Sequence, residues 1–177
     1  LGRMDAPIPL GADDFATSRI GNAFTVYIGT HGDAGAHRAD VILPGAAYTE
    51  KSGTYVNTEG RVQMANRAGF APGEAKEDWA ILRALSDVLG KRLPFDSLAQ
   101  LRAKLYAEHP HFAEIDEIAS ADAGGLSRLA VAGGEAGRAP FASAVKDFYL
   151  TNPIARASAV MAECSALAQN GFRQAAE

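Results

Sequence analysis

Residues Ala39–Gln63 read ADVILPGAAYTEKSGTYVNTEGRVQ, and this stretch decides the fold. Val41-Ile42-Leu43 is a short, wholly apolar run stopped by Pro44, the pattern of a strand buried on both faces. Thr54-Tyr55-Val56 and Arg61-Val62-Gln63 then flank Asn57-Thr58-Glu59-Gly60. Strand formers on either side of a polar, glycine-ended loop predict a hairpin from Gly53 to Gln63. Gly60 stands where the turn needs left-handed backbone, which glycine adopts without a Cβ clash.

Upstream, Phe24-Thr25-Val26-Tyr27-Ile28 is aromatic and β-branched and reads as another buried strand. It opens into the glycine-rich loop Gly29-Thr30-His31-Gly32-Asp33-Ala34-Gly35. Two short, nearly all-apolar strands imply a sheet covered on both faces. Residues 1–23, with Pro7, Pro9 and Gly11, read as a connecting segment with a helical turn near Phe15.

Downstream the period changes to that of helices. Asp78 is the expected cap of a helix that buries Ile81, Leu82, Leu85, Val88 and Leu89, with Gly90 as its stop. Ser97 and Gln100 form a capping-box pattern ahead of a face made by Leu98, Leu101 and Leu105, and Pro110 closes that run. Residues 119–140 hold Gly124, Gly125, Gly133, Gly134 and Gly137 and read as a linker. Asn152-Pro153 then starts a helix through Ile154, Ala157, Met161, Cys164, Leu167 and Ala168, with Gly171 expected to end it. The reading is an α/β chain: short parallel strands plus a β-hairpin, followed by helices.

A length of 177 residues suits one domain, or one lobe of a larger protein. The chain opens on Leu1 rather than on methionine, and we expect a piece of a longer polypeptide. The 21 acidic residues outnumber the 17 basic ones, and no basic stripe alternates with aromatics, so nucleic acid is not an expected partner. No apolar run approaches the length of a membrane span. The single cysteine, Cys164, fits a reducing compartment and falls short of the four thiolates that iron–sulfur clusters usually take.

Several residues could carry chemistry. His31, Asp33 and His37 share one loop, but their spacing matches no zinc pattern. Gly29, Gly32 and Gly35 follow a strand and could cradle a phosphate, yet no Gly-Lys-Ser/Thr accompanies them. Glu50, Lys51, Asn57, Glu59 and Arg61 gather around the hairpin, where they could hold a polar ligand such as a pterin dinucleotide. The same residues equally make a hydrogen-bonded turn with a salt bridge, which local physics favours. His109 and His111 flank Pro110 in a helix-ending turn, and Cys164 reads as a structural thiol on a small-residue face. No catalytic residue and no metal site is expected.

Taken whole, Ala39–Gln63 resembles the late signature of the molybdopterin oxidoreductase superfamily, in which an ADV-LP strand precedes an acidic residue, a GT turn and NTEGR-Q. Within that superfamily, YIGTHGDAGAHR (Tyr27–Arg38), PGAAYTEKSGTYVNTEGR and EDWAILRALSDVLGKRL (Glu77–Leu93) are similar to the 75-kDa-type subunit, also called the G subunit, of NADH:quinone oxidoreductase (respiratory complex I). The tail KDFYLTNPIARASAVMAEC (Lys146–Cys164) resembles the C-terminal segment special to that protein. The resemblance implies a division into the end of an α/β domain (1–107), a variable glycine-rich linker (108–144) and a C-terminal helical segment (145–177). It implies a non-redox, structural part of a peripheral-arm subunit. Iron–sulfur clusters would sit in the N-terminal part of the full subunit, with molybdopterin lost and Asn57, Glu59 and Arg61 as vestigial pterin-site positions. Its partners would be the rest of that subunit and the other peripheral-arm subunits, on the cytoplasmic side of the inner membrane. Two alternatives stay open: a fragment of an active molybdenum or tungsten pterin enzyme of the formate dehydrogenase type, or a nucleotide-binding lobe using the glycine loop.

Overall fold

A computed structural model describes residues 6–12, 17–32, 34–120, 122–129 and 137–174. Strand β1 (Val26–Gly29) leads through the one-turn helix α1 (Ala34–Arg38) to β2 (Val41–Pro44), which runs parallel to it in the register Val26 to Val41 and Gly29 to Pro44. The hairpin β3 (Gly53–Val56) and β4 (Val62–Ala65) follows. Next come helices α2 (Asp78–Val88) and α3 (Leu98–Glu108), the short α4 (Ala123–Leu129), and the pair α5 (Pro153–Arg156) and α6 (Ala159–Gln174). The mixed α/β class with short strands is the expected one.

The centre of the molecule is β1. Ile28 and Tyr27 are buried, and Thr25 just ahead of them is fully enclosed. Thr25 is held by the Asp40 carboxylate, which accepts its N–H at 2.7 Å, while its own carbonyl accepts from the N–H groups of Asp40 and Val41. The start of β2 is thereby fixed against the start of β1. On its other edge β1 has an unforeseen neighbour. The Val26 N–H donates to the Pro7 carbonyl, the Ile28 N–H donates to the Pro9 carbonyl, and the Gly11 N–H donates to the Ile28 carbonyl. The two prolines made this segment look like a mere connection. They lack N–H groups but offer carbonyls, and an edge position asks nothing more of them.

Strand β2 departs from the expectation of burial, since Val41 and Ile42 are 38% and 55% exposed. An all-apolar strand is buried only where layers cover both its faces, and among the described residues no second layer lies over β2. The turn expected near Phe15 is a 3-10 turn at Thr17–Ile20, and Phe15 itself lies outside the described residues.

Helix α2 corrects three expectations. Its cap is Glu77, and Asp78 is the first helical residue, its carboxylate taken by the Lys51 ammonium. Val88 and Leu89 are exposed, while Arg83 and Ser86 are the buried positions. The apolar stripe is thus shorter than its spacing suggested, because the final turn stays open to solvent. Gly90 does end the helix: its φ is +68° and the Lys91 N–H reaches back to the Ser86 carbonyl. At α3 the Ser97 hydroxyl accepts the Gln100 N–H at 3.2 Å, and the Gln100 side chain reaches the Asp96 N–H at 2.6 Å. That is a capping box displaced by one residue at its return arm.

The stretch read as a linker contains α4, capped by Asp122, whose carboxylate accepts the Gly124 N–H at 3.0 Å. Gly133 and Gly134 lie outside the described residues. The last helix is two. Asn152 caps α5, accepting the Ala155 N–H at 2.9 Å, and Ser158 caps α6 through the Met161 N–H at 3.3 Å. A second good cap only six residues after the first interrupts the helix. Gly171 does not end α6, which continues to Gln174, because a lone helical glycine costs about 1 kcal/mol without forcing a stop. Ile154 and Met161 are exposed here, whereas Tyr149 and Leu150 are half-buried.

Candidate functional site

The hairpin loop is organised by one side chain. Asn57 Oδ1 accepts the N–H groups of Glu59 and Arg61, each at 3.0 Å, and the Asn57 carbonyl accepts the Gly60 N–H at 3.0 Å. Gly60 has φ +84°, the left-handed geometry expected of it. Glu59 lies beside Asn57, whose Nδ2 approaches it at 3.4 Å. Arg61 turns elsewhere: its Nη1 donates to the Asp116 carbonyl at 2.7 Å, and the Asp116 N–H donates to the Val62 carbonyl at 2.7 Å. Asp116 has φ +65°, so this joint bends the chain sharply at the hairpin.

Glu50 closes its own turn by accepting the Ala47 N–H at 2.9 Å, and Lys51 pairs with Asp78. The five candidate positions therefore do not converge on one ligand. Asn57, Glu59 and Arg61 face the hairpin backbone and the segment at 115–116, and each has an intramolecular partner. They do not fit a pterin dinucleotide, which needs donors and acceptors aimed into a common cavity.

The other candidates disperse as well. His31 Nδ1 lies 2.8 Å from Thr30 Oγ1, His37 lies in α1, and Asp33 lies outside the described residues. Among the described residues no group of three or more His, Cys, Asp or Glu could hold a metal ion. A Cβ on Gly29 would fall 2.4 Å from the Tyr27 hydroxyl and against its ring, so this glycine makes room for a buried tyrosine. Helix α1 is a single turn, too short to offer the anion site of a longer helix. His109 and His111 stand edge to face at 6.1 Å, and His111 packs on Phe112 at 4.4 Å. Cys164 is a free, half-buried thiol in α6.

Three polar centres were missed in the sequence. Arg83 is buried and gathers the Phe95 carbonyl, Asp96 and Asp87, and Arg92 joins the same Asp96. The hydrogen bond from Arg83, joined by Arg92, holds the Asp96 carboxyl below its ordinary value against the opposing effect of burial. Only the four-residue step from Arg83 to Asp87 was readable in advance. Asp147 is the second centre, accepting from the Tyr149 N–H, the buried Ser165 hydroxyl and Gln169. The third is Arg102, in a cleft of about 350 Å³ between the hairpin and α3 that Tyr55, Trp79 and Leu101 also line.

Two family matches divide the chain. Residues 10–88 match the molybdopterin oxidoreductase family, and residues 115–164 match the family formed by the C-terminal part of the NADH-ubiquinone oxidoreductase G subunit. The chain is 48% identical over 167 residues to the mitochondrial NADH-ubiquinone oxidoreductase 78 kDa subunit of Neurospora crassa, with 92% of this chain and 22% of that protein aligned. It is 46% identical over 167 residues to the NADH-ubiquinone oxidoreductase 75 kDa subunit of Reclinomonas americana, covering 89% of this chain and 23% of that protein. Against the mitochondrial NADH dehydrogenase [ubiquinone] iron-sulfur protein 1 of Solanum tuberosum it is 45% identical over 159 residues, covering 89% and 21%. The chain thus spans about a fifth of the length of the curated relatives it matches.

Proposed function

We propose, from the premise that residues 10–88 belong to the molybdopterin oxidoreductase family and residues 115–164 to the C-terminal family of the G subunit, that this chain is a structural part of the 75-kDa-type subunit of an NADH:quinone oxidoreductase. It carries no redox centre. Its task is to hold the end of the molybdopterin-type domain to the segment particular to that subunit. The whole complex passes electrons from NADH to quinone through clusters bound elsewhere in the full subunit. The chain stands on the cytoplasmic side of the membrane to which the complex is attached, against the remainder of its own subunit and its peripheral-arm neighbours. No helix among the described residues is long and apolar enough to cross a membrane.

The observation that carries this reading is the joint at Arg61. In the superfamily resemblance this arginine belongs to the signature beside the pterin. Here its guanidinium binds the Asp116 carbonyl, and the neighbouring Val62 carbonyl takes the Asp116 N–H. A motif of the first family segment is thereby fastened to the first residues of the second, which begins at 115. A side chain used in this way positions a chain rather than a cofactor. The exposed Val41 and Ile42 accord with a strand that a neighbouring part of a larger assembly covers.

The test is the absorption spectrum and metal content of the purified chain. The reading predicts no stoichiometric flavin, iron–sulfur or pterin absorption and no bound molybdenum or tungsten. A stoichiometric chromophore or metal would overturn it.

A further inference from the structure

The cleft between the hairpin and α3 holds an unsatisfied guanidinium edge. Its walls are apolar and aromatic, with Tyr55 and Trp79 on one side and Leu101 and Leu105 on the other. Its other charged groups are paired: Lys51 with Asp78, and Glu77 with Arg67 and the Trp79 indole N–H. Arg102 is not: its Nε and Nη2 are buried and have no hydrogen-bond partner among the described residues. Leaving two buried donors of a permanent cation unsatisfied is costly, and the cost disappears when an anion pairs with them. A guanidinium edge of this kind grips a carboxylate or phosphate through two parallel N–H···O bonds.

We propose that this cleft is an oxyanion site, in which Arg102 turns its Nε–Nη2 edge to a carboxylate or phosphate group while Tyr55 and Trp79 cover the body that bears it. The oxyanion comes either from a free small molecule or from a carboxylate of the surrounding polypeptide; the chemistry of recognition is the same.

The experiment is hydrogen exchange on the full-length protein in its native assembly, followed in peptides covering residues 51–56 and 98–108. Wild type is compared with Arg102→Met and Arg102→Lys, with inorganic phosphate as the probe and chloride at matched ionic strength as control. If the anion is free, phosphate slows exchange in wild type, by about tenfold at ten times Kd, and leaves Arg102→Met unchanged. If the carboxylate is built into the assembly, phosphate changes nothing, Arg102→Met alone speeds exchange in both peptides, and Arg102→Lys restores part of the protection. Either pattern supports the site and names its source. The proposal fails if phosphate protects Arg102→Met as well as wild type. It also fails if phosphate has no effect and Arg102→Met exchanges no faster than wild type, because replacing an unpaired buried charge with a similar apolar volume stabilises.

Discussion

Asn57 and Gly60 shape the hairpin in complementary ways, one through its side chain and the other through the lack of one. Gly60 at φ +84° has open space around the position of a Cβ, so a larger residue there meets backbone strain and no clash with neighbours. Gly60→Val should therefore destabilise the chain by about 1 kcal/mol or more, read as a lowered urea midpoint at unchanged slope. An unaltered midpoint would contradict the left-handed turn. Asp96 supplies a prediction in pH. Its folded-state pKa is lowered, chiefly by the hydrogen bond from Arg83, so it adds stability above the ordinary carboxyl value of 3.8. That contribution is lost as pH falls through the lower folded-state value. Asp96→Asn should flatten this part of the acid-unfolding curve, and an acid limb identical to wild type would dismiss the Arg83–Asp96 pairing. At this scale Gly60 was legible because a turn imposes a local demand. Arg83 and Arg102 were not, because their partners, or the lack of them, depend on residues distant in sequence.

The elements follow the same division between local and distant causes. The hairpin, the Gly90 stop, the Ser97 cap and the Asn152 cap were legible, since each rests on neighbours within a turn. The pairing of Pro7–Gly11 with β1 was not, because nothing local shows which strand a run of prolines will meet. The break between α5 and α6 was present in the sequence as Ser158, but the small-residue pattern running through it favoured one helix. What fixes that pair to the preceding 3-10 turn at Phe148–Leu150 is Asp147, which caps the turn and accepts from Ser165 and Gln169 of α6. Asp147→Ala removes the cap and strands the buried Ser165 hydroxyl, and should cost about 2 kcal/mol. Hydrogen exchange is the measurement: α6 amides should lose protection while those of β1 keep theirs. Equal loss in both elements would show that α6 is not a separately anchored unit.

For the whole molecule, the α/β class and the family were legible because Ala39–Gln63 and Lys146–Cys164 are extended motifs rather than single residues. The candidate site was less so. Its residues were correctly placed on the hairpin, but sequence alone left a ligand pocket and a self-contained turn both open. The hydrogen bond from Arg61 to the Asp116 carbonyl accords with the self-contained turn. Burial was the least legible property: Val41 and Ile42 have the composition of a covered strand, and covering is a property of what surrounds them. The account of this chain as a non-redox structural part of a larger oxidoreductase is tested most directly by co-purification. The native gene would be tagged at its C-terminus, the membranes solubilised gently, and the captured proteins identified by mass spectrometry. The account predicts NADH:quinone oxidoreductase subunits together with NADH-oxidising activity. Recovery without those subunits, and with stoichiometric molybdenum or tungsten, would contradict it.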